Sequence, residues 1–302
     1  MLPFKLIYHA GYDLNLGEHV FPARKYRLIR ERLLASGFAG EADFVQPKPI
    51  DDEDVLAAHD RGWVQRLKFG TLGYQEILKL EIPYSSRMVE AFWLAAGGSV
   101  LAARHALEAG AGFNVGGGFH HAFAGHGEGF CAINDIAVTA RAVQRRGLVE
   151  RVMIADCDVH HGNGTAAIFA GDDSVFTLSI HQFQNYPEVK PPSTIDIHLA
   201  DGTGDDEYLH KLGTALTTAL DGFQPQILLY VAGADPYGED QLGGLSLTMD
   251  GLARRDALVI GEARRRGIPV AVMLAGGYAM RTEDTVEIHA NTARAVRDAL
   301  SG

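Results

Sequence analysis

The chain has 302 residues, 47% of them hydrophobic, and a formal net charge of −11 at pH 7. No apolar stretch approaches 18 residues and the start lacks the pattern of a signal peptide, so we expect neither a membrane span nor a secretory leader. No basic run offers the positive face that phosphate binding requires, so we expect no direct nucleic-acid partner. Cys131 and Cys157 are too few for a disulfide scaffold, and we expect them to be buried in a cytoplasmic protein.

Six apolar runs predict buried β-strands, at 4–8, 112–115, 151–155, 174–180, 226–233 and 269–276. Amphipathic patterns predict helices, at 87–109, 134–146, 206–220, 249–266 and 283–300. This alternation of strands and helices favours an α/β fold, in which a parallel sheet is covered on both faces. No linker, repeat or break in composition divides the chain, which predicts one domain over residues 1–302.

Polar segments directly follow several of these strands, and all but one of them contain glycine. They are GGGFHHAFAGHGEGFC after 112–115, DCDVHHGNGT after 151–155, HQFQNYP after 174–180 and ADPYGEDQLGG after 226–233. Ligands of open α/β sheets bind beyond the carboxyl ends of the strands. We therefore expect these segments to meet in one active site.

Two strand ends carry candidate metal ligands. Asp158 and His160 stand two residues apart, so their side chains can point to the same side and share one cation. Asp235 follows a later strand and can supply a third ligand. Two carboxylates and one histidine leave a position open for water, as a hydrolytic zinc site requires. A lone aspartate at a strand end can equally cap a helix or hold a loop, so the prediction depends on the three residues together.

The glycine-rich segments supply candidate catalytic groups. His120 and His121 can be a surface pair, but beside a metal-bound water one of them can act as general base and then protonate the leaving amine. Asp156 and Asn163 flank the metal pair and are suited to orient the two imidazoles. Tyr278 ends the segment LAGGY, where its hydroxyl would stabilise an oxyanion or its ring would serve only as packing.

Four segments together resemble the signature blocks of the zinc-dependent histone deacetylase family: GGGFHHAFAGHGEGFCAIND, DCDVHHGNGT, GADPYGEDQLGGLSLT and LAGGY. This family also contains acetoin-utilisation proteins and acetylpolyamine amidohydrolases. The similarity runs from YHAGYDLNLGEHVFPARKY to the last helix, so it covers nearly the whole chain. The segment DGTGDDEYLHKL and Asn163 are most similar to the class IV branch. The resemblance implies an arginase-like three-layer fold, with a central, mostly parallel sheet of about eight strands between helices.

The resemblance also implies roles for the candidate residues. It assigns one catalytic Zn²⁺ to Asp158, His160 and Asp235. It makes His121 the general base and later the general acid, and it makes His120 an electrostatic support.

Further roles follow from the same resemblance. Asp156 would pair with His120, and Tyr278 would polarise the amide carbonyl. Gly129 and Phe130 would contact the substrate through a backbone carbonyl and a channel-wall ring. Many members carry an aspartate where this chain has Asn163; the class IV branch shares the asparagine, and the pKa of the general base is expected to differ from that in the aspartate members.

The resemblance adds an inner site for a monovalent cation, K⁺, formed by Asp156, Asp158, His160, Ser179 and the backbone of Ile180. It suggests that Arg24 lines an internal channel for the released acid. It gives His161 no ligand role. Four other histidines are expected in loops or at the surface: His19, which can lie at the channel rim, His59, His126 and His181.

The residues and the resemblance together predict a zinc-dependent deacetylase that removes an acetyl or longer fatty acyl group from lysine side chains or a related amine. Its partners would be acyl-lysine peptides or acylated amines. An acetylpolyamine or other small-molecule deacetylase is an alternative. A binuclear arginase-like ureohydrolase is less favoured, because Gly162 stands where such enzymes need another carboxylate and the motif GAD offers one. A protein that only binds acyl-lysine is a third alternative.

Overall fold

The computed structural model of the protein describes residues 1–14 and 16–301, so Asn15 and Gly302 of the predicted domain lie outside the described residues. Within these ranges the strands are β1 (Lys5–Ile7), β2 (Phe44–Val45), β3 (Ala111–Asn114), β4 (Val152–Asp156), β5 (Val175–Gln182), β6 (Ile195–Leu199), β7 (Ile227–Val231) and β8 (Val270–Met273). They form one eight-stranded parallel sheet in the order β2-β1-β3-β8-β7-β4-β5-β6.

The helices in the same ranges are α1 (Lys25–Ala35), α2 (Asp52–Val55), α3 (Arg61–Phe69), α4 (Tyr74–Leu80), α5 (Ser86–Ala109), α6 (Asp135–Arg145), α7 (Asn163–Ile168), α8 (Asp205–Phe223), α9 (Met249–Arg265) and α10 (Thr282–Ser301). None of these helices combines the length and the apolar character that crossing a membrane requires. The helix-covered parallel sheet confirms the predicted α/β fold.

Two hydrophobic cores cover the two faces of the sheet. Alternate residues of a strand point to opposite faces, and in β4 Ile154 joins the core that contains α5 and α6, whereas Met153 joins the core that contains α8 and α9. All five residues of β4 are buried. Burial on both faces explains why this strand is a continuous apolar run rather than an alternating pattern.

The apolar runs predict the six inner strands and miss β2 and β6, which lie at the sheet edges. β6 reads Ile-Asp-Ile-His-Leu and most of its residues are at least partly exposed, because β6 pairs only with β5. β2 has only two residues, too few for a pattern. The helices α1, α2, α3, α4 and α7 were not predicted either.

The sheet order brings the candidate residues together. β3, β8, β7 and β4 are consecutive neighbours, and each is followed by one of the polar segments or by LAGGY. β7 ends at Val231 and β8 at Met273, earlier than predicted, so the chain beyond them leaves the sheet and turns over its carboxyl edge. A Cβ at Gly233 would lie 2.7 Å from the Cα of Asp158, so glycine is required for this close approach.

Candidate active site

The predicted metal ligands meet at the carboxyl ends of two neighbouring strands. Asp158 and His160 follow β4, and Asp235 follows β7. All three are buried, and one ligand atom from each lies within 4.8 Å of the others. His160 Nδ1 is 2.9 Å from Asp158 Oδ1 and 3.6 Å from Asp235 Oδ2. The structure thus brings the three residues into one cluster.

The cluster has an acceptor atom without a partner. Asp235 Oδ1 accepts a hydrogen bond from the backbone N–H of Val159 at 2.8 Å, but Oδ2 is buried and has no hydrogen-bond partner among the described residues. Burial and the charge of Asp158 raise the pKa of Asp235 to about 7. A Cβ at Gly276 would clash with Asp235 Oδ2, so glycine keeps the space beside this oxygen free of a side chain. Two close carboxylates, one unpaired oxygen and one imidazole fit a divalent cation.

The tandem histidines have different partners. His120 Nδ1 lies 2.7 Å from Asp156 Oδ2, His121 Nδ1 lies 2.7 Å from Asn163 Oδ1, and the two Nε2 atoms are 3.1 Å apart. Burial opposes charge on His120, but Asp156 and Asp158 outweigh it and raise its pKa to about 9. Burial and the charge of His120 hold the pKa of His121 well below its ordinary value. The pKa of His120 therefore lies above that of His121, and His120 is the member of the pair that is protonated first.

A carboxylate that sequence analysis did not single out lies behind Asn163. Asn163 Nδ2 donates to Glu128 Oε1 at 2.6 Å, which leaves the amide oxygen facing His121. Tyr186 donates its hydroxyl to the same oxygen at 3.2 Å, and its ring lies edge-on to His121 with centroids 4.9 Å apart. Burial opposes charge on Glu128, but hydrogen bonds from His126 and Asn163 outweigh it and lower its pKa. An acid within the glycine-rich stretch GHGEGF was the available signal.

Aromatic rings enclose a narrow pocket that leads to the tandem histidines. Tyr278 is 6% exposed, and its ring centroid is 6.3 Å from that of His160, 6.1 Å from Phe130 and 6.0 Å from Phe21. The pocket runs between the three aromatic side chains to the tandem histidines and Asp158. Burial and the charge of Asp158 raise the pKa of Tyr278 well above its ordinary value, so its hydroxyl stays protonated. Phe21 was not predicted as a site residue.

Backbone in the left-handed region forms one side of the pocket. Gly129 has φ +52° and Phe130 has φ +67°. The N–H groups of these residues donate to the carbonyl oxygens of Lys79 and Leu80, which hold the segment in place. A Cβ at Gly129 would lie 2.8 Å from the His121 ring, so this position needs glycine for both conformation and space.

A fully buried lysine lies beside the pocket. Lys25 of α1 is 0% exposed, and its Nζ donates to the carbonyl oxygen of Ala275 at 2.7 Å. Nζ also lies 5.2 Å and 5.6 Å from the ring centroids of Phe21 and Tyr278. Burial lowers the pKa of Lys25 to about 8, although the charge of Asp235 opposes this. Sequence reasoning missed Lys25, because a lysine at the start of an amphipathic helix is ordinarily exposed.

The predicted monovalent-cation residues come from the end of β4, the segment after it and the neighbouring strand β5. Ser179 of β5 lies opposite Asp156 of β4 in the strand register, and Ile180 follows it. Ser179 and Ile180 are both buried. The hydroxyl of Ser179 is 3.0 Å from Nδ1 of His181.

The prediction that four other histidines lie in loops or at the surface is wrong for His181, which is in β5 and is completely buried. β5 continues two residues past the apolar run, and these two residues, His181 and Gln182, are both buried. His59 lies in a loop but is only 4% exposed: its Nδ1 is 2.9 Å from the Phe123 carbonyl oxygen, and Nε2 accepts from a backbone N–H. His19 and His126 are in loops and partly buried, and the ring of His19 lies near the pocket entrance.

Arg24 does not line an internal channel. Its side chain is exposed and donates to Thr282 Oγ1 at 3.2 Å. It borders a cavity of about 600 Å³ that lies at the protein surface and shares Phe21 and Tyr278 with the narrow pocket. The buried cation near the pocket is Lys25, the next residue in the chain.

Cys131 and Cys157 are free and buried, as predicted.

Comparison with known proteins identifies the family. Residues 19–293 match the histone deacetylase domain. An uncharacterized protein of Picosynechococcus sp. is 40% identical over 296 residues, which cover 98% of this chain and 99% of that protein. Histone deacetylase 2 of Arabidopsis thaliana is 33% identical over 286 residues, which cover 90% of this chain and 74% of that protein. The crystal structure of an HDAC homolog from Aquifex aeolicus matches with a TM-score of 0.81 at 24% identity, over 97% of this chain and 84% of that one. The chain belongs to the histone deacetylase family.

Proposed function

We propose that the protein is a metal-dependent amidohydrolase that removes an acyl group, acetyl or longer, from the side-chain nitrogen of lysine or from a related amine. The observation that carries this proposal is the position of two differently partnered histidines, His120 and His121, beside a buried carboxylate–histidine cluster at the end of one pocket. Membership of the family and the name of the Arabidopsis relative support the same reaction.

Zn²⁺ is the ion that we propose for Asp158, His160 and Asp235. The unpartnered Asp235 Oδ2 and the two carboxylates beside one imidazole support this choice, because zinc accepts these donors in hydrolytic sites and keeps a position for water. Bound there, the ion would supply a Lewis acid that polarises the acyl carbonyl and acidifies the attacking water.

His121 is the proposed general base. Its Nδ1 is held by Asn163 Oδ1, an acceptor only, so Nδ1 carries the proton, and the unprotonated Nε2, which lies 3.1 Å from His120 Nε2, is the nitrogen that takes a proton from water. After the attack, the same Nε2–H donates its proton to the amine nitrogen as the C–N bond breaks. His120, charged and paired with Asp156, lies 3.1 Å away and favours the negative charge that develops on the carbonyl oxygen.

Tyr278 is the proposed hydrogen-bond donor to that oxygen. The raised pKa keeps its hydroxyl protonated, and the hydroxyl-bearing ring borders the pocket near His160. Such a donor stabilises the transition state more than the ground state, because it is aimed at the charge that forms. Gly129 would accept a hydrogen bond from the substrate amide through its carbonyl, and Phe130 would pack against the acylated side chain.

Two residues missed by sequence reasoning act by positioning others. Glu128 accepts from Asn163 and so fixes the amide that orients His121. Lys25 donates to the carbonyl of Ala275, a non-glycine residue with φ +55°, and so holds the turn that leads to Tyr278.

We further propose that K⁺ binds at the inner strand ends, through backbone and side-chain oxygens of Asp156, Asp158, His160, Ser179 and Ile180. The position of Ser179 opposite Asp156, the last residue of β4, supports this. The whole chain would act as one catalytic domain, since the site draws on residues from Lys25 to Tyr278.

We propose that the protein acts in the cytoplasm, which the free, buried cysteines support. We also propose that it belongs to the class IV branch, which Asn163 supports.

A binuclear ureohydrolase is the less favoured reading. Gly162 occupies the position where a further carboxylate would be needed, and a Cβ there would clash with Asp156. Asp156 itself is engaged by His120. One catalytic ion is therefore the stoichiometry that this cluster supports.

The function is tested by amine release from Nε-acyl-lysine peptides, acetyl through myristoyl, and from acetylated polyamines. Each substrate is assayed with and without a zinc chelator, and a Tyr278→Phe protein purified in parallel controls for contaminating enzymes. Chelator-sensitive release with peptides supports the lysine deacylase, and release only with polyamines supports the small-molecule alternative. Absence of turnover on every substrate by zinc-loaded protein would leave the acyl-lysine-binding reading.

A further inference from the structure

A second group of polar side chains lies at the edge of the sheet, outside the active site. His161 follows His160, His181 is in β5, and Asp196 and His198 are in the edge strand β6. One ligand atom from each of His161, His181 and Asp196 lies within 4.8 Å of the others. His161 Nε2 is 3.1 Å from Asp196 Oδ1, and His181 Nε2 is 2.9 Å from His198 Nδ1.

Strand register explains why these side chains converge. In the parallel pair of β5 and β6, Ser179 lies opposite Asp196 and His181 lies opposite His198. Side chains two residues apart on a strand point to the same face, so all four share one face of the sheet edge. The loop after β4 brings His161 onto this face, where its ring centroid is 4.6 Å from that of His181.

The two histidines are buried, and both nitrogens of His181 and Nε2 of His161 have polar side-chain neighbours, the hydroxyls of Ser179 and Ser193 among them. His161 and His181 are 0% exposed, and His161 Nδ1 has no hydrogen-bond partner in the part of the chain that the structure describes. A buried polar atom without a hydrogen-bond partner is unfavourable. The Asp196 side chain is 17% exposed and His198 is exposed, so the cluster is open to solvent on the side of β6.

The donors favour a particular class of ligand. Imidazole nitrogens suit zinc and other late first-row divalent ions, whereas Mg²⁺ and Ca²⁺ prefer all-oxygen sites. Ligands at zinc–nitrogen and zinc–oxygen distances on a tetrahedron lie roughly 3.4 Å apart. The 3.1 Å between His161 Nε2 and Asp196 Oδ1 is close to that separation.

We propose that His161, His181 and Asp196 form a second site for a divalent transition-metal ion such as Zn²⁺, with His198 as an adjoining fourth donor. The ion would be structural: it would connect β6, which pairs only with β5, to the loop that carries His160. The proposal gives His161 a ligand role that the sequence alone did not suggest, and it does not depend on the reaction at the active site.

The test counts metal ions per chain. Full-length protein is saturated with Zn²⁺ and desalted, and zinc is measured by mass spectrometry against protein concentration. The wild type is expected to hold one zinc more than Asp196→Asn and one more than His181→Gln. His105→Gln is the matched control, since His105 lies near a carboxylate, 3.7 Å from Glu108, but outside both clusters; it should equal the wild type. Because the result is a difference, it does not require that the active-site cluster retain its ion.

A measurement on the wild type keeps the proposal testable if the variants do not fold. Crystals of the same desalted protein, collected at the zinc absorption edge, should show an anomalous peak about 2.0–2.2 Å from one atom each of His161, His181 and Asp196. The absence of that peak overturns the proposal, as does an Asp196→Asn protein that folds and holds as much zinc as the wild type.

Discussion

Two buried clusters of charged side chains lie against the same central strands, and they differ in how fully their atoms are paired. In the first, Arg255 of α9 donates through Nε and Nη2 to Asp256 Oδ1, at 2.9 and 2.8 Å, and through Nη1 to the carbonyl oxygen of Gly233. Asp256 also accepts from the hydroxyls of Tyr230 and Thr292. One positive charge opposes one negative charge, and both carboxylate oxygens have partners.

The second cluster is the candidate metal site. Asp158 and Asp235 are two carboxylates beside one imidazole, that of His160, and Asp235 Oδ2 has no hydrogen-bond partner among the described residues. Both clusters are buried, so burial of charge does not distinguish them. The distinguishing feature is the unpaired acceptor beside a like charge, which a bound cation would neutralise.

The paired cluster also supports the unpaired one. Arg255 Nη1 donates to the carbonyl oxygens of Gly233 and Cys157, which stand next to the segments that carry Asp235 and Asp158. Scaffold and site thus meet at the backbone. The free energy of unfolding should therefore depend on the first cluster, and the rate of hydrolysis on the second.

Asp235→Asn should have the largest effect on activity. Replacing even an outer partner of a metal ligand costs about 10–100-fold, so loss of a ligand should reduce hydrolysis by more than about 100-fold. The same change removes the repulsion with Asp158, so the free energy of unfolding in the presence of a chelator should not fall. Retained activity, or a clear loss of stability in the presence of the chelator, would contradict the claim that this cluster serves activity and not stability.

Arg255→Met should mainly affect stability. Removing one member of a buried ion pair leaves an uncompensated charge on Asp256 and should lower the free energy of unfolding by about 3–5 kcal/mol, measured with urea. The double variant Arg255→Met/Asp256→Leu is the control. It should recover part of the loss, because no unpaired charge remains.

His59 should make stability depend on pH in the segment that carries the tandem histidines. Burial lowers its pKa to about 4, so below about pH 6.5 the unfolded chain binds a proton that the folded chain does not. The contribution of this pKa shift to the free energy of unfolding is complete above about pH 6.5. As the pH falls toward about 4, the free energy of unfolding decreases by about 3 kcal/mol. Urea unfolding at pH 7 and 4.5 should show a smaller difference in His59→Gln than in the wild type; equal differences would refute this.

Tyr278→Phe should lower kcat by a factor of about 100, the effect of losing one oxyanion donor. The ring and its contacts with Phe21 and Phe130 remain, so the melting temperature and zinc content should be unchanged. An unchanged kcat would remove Tyr278 from the proposed mechanism.

Glu128→Gln should have the smallest effect, a fall in kcat of about tenfold with KM little changed, because it acts on His121 only through Asn163. Glu81→Gln is a matched control, since Glu81 is a nearby carboxylate outside this chain of hydrogen bonds. If both variants behave alike, the effect is a general change of charge and Glu128 does not position the base.

The predicted site residues follow from local patterns. Asp158 and Asp235 directly follow apolar runs, and alternation of strands and helices makes a parallel sheet whose carboxyl ends share one edge. Gly233 and Gly276 are visible in the sequence, but the reason that glycine is needed there is not. That reason is the close approach of an aspartate that follows another strand.

Other features had no local signal. Lys25 is followed by the same amphipathic pattern that an exposed lysine would have, yet its partner is Ala275, 250 residues away. His181 was assigned to a loop or the surface because the apolar run ends before it, yet β6 and the loop with His161 bury it.

The central strands and the polar side chains at their ends can be recognised from the amino-acid sequence, because hydrophobic periodicity and strand-end position are properties of neighbouring residues. Which of these polar groups are charged, which are hydrogen-bonded and which lack a hydrogen-bond partner depends on the folded chain. Burial and the approach of distant segments set the pKa of His120 and His121 and leave Asp235 Oδ2 unpaired. Those interactions arise only when the strands and loops pack together.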